Sequence, residues 1–126
     1  MLKHILRVAK SLIHETGKKV ARSSEWPKVE KEFRASHHTC AACGSNVRLQ
    51  VHHKVPFAKD ASLELDPNNL ISLCMDKGHD CHILIGHGDD FKAYNPNVVA
   101  DATEALLHPE KIREIQERAK VARLKL

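Results

Sequence analysis

Four cysteines constrain this chain more than any other feature. Cys40 and Cys43 are separated by two residues, and Cys74 and Cys81 follow after thirty more. The short first spacing, closed by Gly44, makes a tight knuckle in which both thiolates can meet one tetrahedral ion, and the glycine relieves crowding as the chain turns away. Six residues separate the second pair, and His79 in that gap is an alternative ligand to Cys81. The competing reading is four unliganded buried thiols. A core of 126 residues with few large rings (Trp26, Phe33, Phe57, Phe91, Tyr94) is modest and gains from a metal staple. A structural Zn2+ on Cys40, Cys43, Cys74 and Cys81 is therefore expected.

The apolar residues of the first twenty positions are interrupted by Lys3, Arg7, Lys10 and His14, which a secretory signal does not tolerate. Metal binding in a reducing cytoplasm is favoured over two disulfides. No hydrophobic run approaches a membrane span, so no membrane partner is expected. The net charge of +4 is unevenly placed: residues 1–22 hold six Lys/Arg against one acid, residues 110–126 six against three, and the middle eight against twelve. Basic flanks around an acidic centre suit a polyanion, although on charge alone solvated faces of two surface helices are the favoured reading.

Leu2, Ile5, Leu6, Ala9, Leu12 and Ile13 recur at helical spacing, which predicts an amphipathic helix over 2–16 that stops at Gly17. Ser24 is the expected cap of a second helix, with Pro27 in its first turn and Trp26, Val29 and Phe33 turned inward, ending near Ala35 or Ser36. Val47, Leu49 and Val51 alternate with polar residues, a strand signature, and Leu70–Cys74 is a second short strand. Residues 54–69 form a long loop, which in a small domain is functional or disordered. Cys81–Ile85 reads as helix, with Gly86 ending or bending it. Residues 91–97 have turn chemistry, and the rings of Phe91 and Tyr94 can cover the core. Pro109 opens a last helix with Ile112, Ile115, Ala119 and Ala122 on one face.

The histidines supply the second signal. His52 and His53 are adjacent at a strand end, so their rings point to opposite sides. His82 follows Cys81, and Asn69 directly precedes the second strand. In this order "VHHKVP", "DPNNLISLC" and "CH" resemble the HNH (ββα-metal) endonuclease family, in particular small phage and bacterial members with a four-cysteine zinc site. The resemblance covers roughly residues 38–96. It implies an α+β fold: a ββα-metal core stapled by zinc and flanked by N- and C-terminal helices. The expected division is 1–36 helical segment, 37–96 nuclease core and 97–126 helical segment.

The resemblance further implies a metal-dependent endonuclease or nickase acting on DNA, with double-stranded DNA as the expected substrate. His53 would be the general base, with an unperturbed pKa suited to that task. His52 and His82 would hold a catalytic divalent ion (Mg2+, Mn2+, Ni2+ or another). Asn69, with Asn68 as the nearby alternative, would tie down the long loop and orient His53. His87 lies five positions after His82, off its face on an ideal helix; a break at Gly86 would bring it back as a third ligand. Lys54, Lys59 and Lys92 are candidate phosphate contacts, and exposed lysines usually have no such role. His4, His14, His37, His38 and His108 read as surface or interface side chains. The alternatives are a zinc-stapled nucleic-acid-binding module without catalysis, and an RNA-cleaving nuclease with the same site. Recognition sequence and oligomeric state are not encoded in any motif.

Overall fold

The centre of the fold is an antiparallel hairpin of β1 (Leu49–His53) and β2 (Leu70–Cys74) in the register Leu49↔Cys74, Val51↔Ser72 and His53↔Leu70. The structure is a computed structural model and describes residues 21–126; the helix expected over 2–16 and its stop at Gly17 lie outside the described residues. β1 begins at Leu49 rather than Val47 because Arg48 adopts a left-handed φ of 54°, which an extended ladder does not accept. Alternation then sends Val51 and His53 to one face of the hairpin, and Gln50 and His52 to the other.

On the Val51 face lies α1 (Trp26–Ser36). Phe33 is buried with Val51 and Leu70, and Trp26 and Val29 pack against them, as the spacing predicts. The expected cap is displaced by one residue. Ser23, not Ser24, supplies the hydroxyl, accepting from Glu25 N at 3.0 Å, and Glu25 holds the cap position without a side-chain bond.

The connection over 54–69 is ordered. Asp60 accepts from Ser62 N at 3.0 Å and caps a 3-10 turn over Ala61–Leu63; Asp66 accepts from Asn68 N at 2.9 Å and caps another over Pro67–Asn69. After β2, Cys81 leads into a π-helical turn, His82–Gly86. β3 (Ala93–Tyr94), α2 (Val98–Leu107) and, after a 3-10 turn at Pro109–Lys111, α3 (Ile112–Ala122) follow, and β4 (Leu124–Lys125) returns antiparallel to β3. The α2 helix was not singled out by spacing.

The larger core forms where α2 and α3 close over the π turn and the cysteines: Leu73, Ile85, Val98, Ala102 and Ile115 are buried with Cys40, Cys74 and Cys81. Ile115 and Ala119 occupy the face expected of the last helix. Each fully buried branched side chain contributes roughly 1.5–3 kcal/mol. Asn95 joins these layers, its N–H donating to Gly86 O at 3.0 Å and its Nδ2 to Asp101 Oδ2 at 2.8 Å, while Arg118 Nη2 reaches the other oxygen of Asp101 at 2.7 Å. One expectation fails: Phe91 is 55% exposed and covers no core. The turn aims its ring instead at His87, 4.9 Å away between centroids. Buried Ala93 and Asn95 fill the interior.

Candidate metal centre and active site

Four sulfurs converge in the interior. Cys40, Cys43, Cys74 and Cys81 place their ligand atoms within 4.8 Å of one another, Cys43 and Cys74 being 3.6 Å apart. The knuckle is built as its sequence predicts: Gly44 adopts φ 79° and donates to Cys40 O at 2.8 Å, while Ala42 N and Cys74 N each donate to Cys40 Sγ at 3.4 Å. The Cys40 thiol is lowered to about 5, first by a hydrogen bond from the Cys81 thiol and then by those backbone donors, against the effect of burial. Burial pushes Cys43 up to about 12, and Cys81 rises as the donor to Cys40. Four sulfurs gathered at one point, with neighbouring donors favouring the thiolate of Cys40, fit a divalent cation, and four sulfur ligands suit Zn2+. His79 is exposed and stands outside this group, so it does not replace Cys81.

A second cluster lies on the Gln50–His52 face. His52, His82 and His87 each bring a ring nitrogen within 4.8 Å of the others. His82 Nε2 lies 3.1 Å from His52 Nδ1 and 3.3 Å from His87 Nε2. The π turn makes this possible. Five positions on an α-helix are about 140° apart, but His87 N donates to His82 O at 3.0 Å, an i to i+5 bond whose wider turn returns His87 to the side of His82.

Two of these rings have their tautomer set. His82 Nδ1 donates to Gln50 Oε1 at 2.7 Å and His87 Nδ1 to Ala93 O at 2.8 Å, so both Nε2 atoms present lone pairs to the same point. His52 Nε2 is buried with no partner among the described residues. An unpaired buried nitrogen costs about 1–3 kcal/mol, so this ring is placed for its other nitrogen, which faces His82. Burial is the first cause holding all three rings below 6.5, His52 well below and His82 at about 4; His82 and His87 depress His52 further. Three neutral imidazoles with converging lone pairs fit a divalent transition or zinc-like cation.

His53 faces the opposite way, as the strand period requires. Its ring lies 4.5 Å from that of Trp26, and Nε2 donates to Glu64 O at 2.9 Å, leaving Nδ1 as the lone-pair nitrogen. The long loop supplies that carbonyl, and Asn69 shapes the loop. Asn69 Oδ1 accepts from Val55 N at 2.9 Å, and Nδ2 donates to Val55 O at 3.0 Å and Leu63 O at 3.1 Å. Asn68 is exposed and makes no such ties. His53 and the three clustered histidines border one cleft of about 350 Å3, with Gln50 and Arg22.

Lys54 is turned away from that cleft, donating to Asn68 O at 3.0 Å and lining a separate depression of about 580 Å3 with Ser36 and His37. The larger depression gathers neither cluster. Lys59 and Lys92 are exposed. Sequence reasoning missed Gln50, Glu64 and Arg22. Only Gln50 had a signal, since it shares a strand face with His52.

A short antiparallel hairpin, a helical turn behind it and histidines at the strand end and on the turn make up a ββα core with a candidate metal centre. The comparison with protein families points the same way: residues 40–87 match the family model of the HNH endonuclease. Such domains act on nucleic acids with divalent metals. No curated protein and no solved structure matches the chain. Among the described residues no helix is long and apolar enough to cross a membrane.

Proposed function

We propose that this protein is a metal-dependent endonuclease or nickase that hydrolyses phosphodiester bonds in double-stranded DNA. The observation that carries the reading is the pairing of two differently prepared histidine sets in one cleft: three rings with converging lone pairs, and a fourth, His53, held by Glu64 O with its Nδ1 free. His52 and His82, with His87 as third ligand, would hold a divalent ion, which when bound would supply charge at the scissile phosphate and the leaving oxygen. His53 Nδ1 takes the proton of the attacking water. Asn69 keeps the loop closed so that Glu64 O stays in reach of His53. The basic ends of the sequence are compatible with a polyanion, and the zinc-stapled binder without catalysis leaves unexplained the buried His52, whose Nε2 has no partner among the described residues.

His53→Ala should abolish nicking of supercoiled plasmid in Mg2+, Mn2+ or Ni2+, a loss of about 10²–10⁴-fold, with the melting curve and zinc content kept. Retained cutting by that variant would sink the mechanism. No nicked or linear product from the native protein in any metal would favour the non-catalytic binder.

The pH profile gives an independent check. Burial, aided by the charge of Arg22 and opposed by the Glu64 carbonyl, holds His53 below 6.5. The ring is then neutral and competent at pH 7. Cleavage should rise with pH through a value under 6.5 and level off before neutrality. A rising limb centred above pH 7 would remove His53 from this role.

A further inference from the structure

One cation reaches the histidine cleft without joining either cluster. Arg22 borders it, half-exposed, and is held in place from two sides. Its Nε donates to Glu64 Oε2 at 2.8 Å, and its guanidinium carbon lies 4.7 Å from the Phe57 ring centroid and 5.9 Å from that of Trp26. Its Nη1 and Nη2 groups have no partner among the described residues. The other charged side chain besides Arg22 at the cleft, Glu30, is engaged by Arg34 at 3.2 Å.

Glu64 explains why this placement matters. Its carboxylate is nearly buried, takes Arg22 Nε and accepts from Ser23 N at 3.1 Å, while its backbone carbonyl takes His53 Nε2. A buried carboxylate needs a countercharge, and one N–H of Arg22 meets that need. The arginine and the base thus hang from one residue. A guanidinium fixed through Nε and packed on a ring presents its remaining fork with little rotamer freedom left to lose.

We propose that Arg22 is the phosphate clamp of this cleft, its two free Nη groups taking the non-bridging oxygens of a phosphodiester beside His53; this rests on the nuclease reading above. Bidentate guanidinium–phosphate contacts are strong and directional, and they gain strength as charge grows on those oxygens in the transition state.

The test uses the full chain loaded with Mn2+, with plasmid for cleavage and inorganic phosphate as the binding probe. Arg22→Ala should lower kcat/KM about 100-fold, weaken phosphate binding at least tenfold, and recover cleavage saturably on adding guanidinium chloride at millimolar concentration. Arg22→Lys should recover only part, since an ammonium neutralises Glu64 but cannot present the fork. Glu64→Gln should keep phosphate binding closer to native than Arg22→Ala does. Cleavage by Arg22→Ala within threefold of native overturns the assignment. So does lost cleavage with unchanged phosphate affinity and no guanidinium rescue, which would leave Arg22 only the task of holding Glu64. If the native protein cuts no plasmid, the nuclease reading falls and phosphate titration alone decides Arg22: a tenfold loss in Arg22→Ala keeps the clamp, and equal affinity removes it.

Discussion

The cysteine cluster and the histidine cluster share the hairpin and the turn after Cys81, yet they are built to opposite specifications. Cys40, Cys74 and Cys81 are at most 1% exposed and lie among Leu73, Ile85 and Val98, with Cys43 partly buried beside them, so core side chains wall the sulfur site. His82 and His87 are only half-buried, and their cluster opens on a cleft shared with His53 and Arg22. Closed four-sulfur sites hold structure; sites with three ligands and an open side hold a reactive position. The contrast teaches that adjacent residues, Cys81 and His82, serve different centres because one points into the core and the other out of it.

The largest expected break in this comparison comes from the cysteines. Cys74→Ser should unfold much of the domain. It removes one of four sulfurs in the core and strikes β2, whose partner strand carries His52 and His53. Zinc content per protein should fall, and the melting transition should drop steeply or vanish, because binding free energy at such a site is folding free energy. His82→Ala should leave both near native. Similar melting losses in the two variants would erase the distinction between the sites.

Gly86→Ala should act mainly on the histidine centre. A Cβ there would stand 3.1 Å from His52 Cε1, 3.2 Å from His52 Nδ1 and 3.0 Å from Leu73 Cδ1. The His52 ring has to give way, and it has no space to spare in a buried site. Affinity for the catalytic ion should fall about 10–100-fold, the range found for changes beside metal ligands. Co2+ titration separates the centres, since thiolate-to-cobalt absorption reports the cysteines only. Loss of that thiolate band in Gly86→Ala would show that the two sites are not independent.

The two regions were also unequally legible. The knuckle and β2 could be read to the residue, because Cys-x-x-Cys-Gly and a run of Leu, Ile and Cys are local signals. The opposed directions of His52 and His53 followed from the strand period. His87 was ambiguous for a physical reason: whether positions i and i+5 meet depends on an α or a π turn, and that choice rests on how Ile85 packs in the core and on the tight space at Gly86 rather than on spacing. Arg22 and Glu64 are 42 positions apart, and no periodicity links them. Phe91 was misplaced because an aromatic residue in a turn carries no sign of which way it faces. The four cysteines drew attention to a core that α2 in fact completes; the helical segment expected over 97–126 includes it, but its inward Val98, Ala102 and Ala105 are mostly small and mark that face weakly.

The smallest expected effect concerns the C-terminal strand, which lies beyond the matched stretch. Arg123 Nη1 donates to Gly88 O at 2.9 Å, Leu126 N to Lys92 O at 3.0 Å, and Lys125 pairs with Ala93, the residue whose carbonyl fixes His87. Gly88 itself leaves no room, since a Cβ there would meet Ala119 O at 2.7 Å. The chain end therefore braces the loop that carries His87. Arg123→Ala should weaken Co2+ or Mn2+ binding at the histidines about tenfold or less and leave the thiolate band unchanged. Combined with His87→Ala, it should add nothing further, because its effect runs through that ring. Full additivity in the double variant would mean that Arg123 steadies the fold at large, and the histidine centre would then lose its dependence on the chain end.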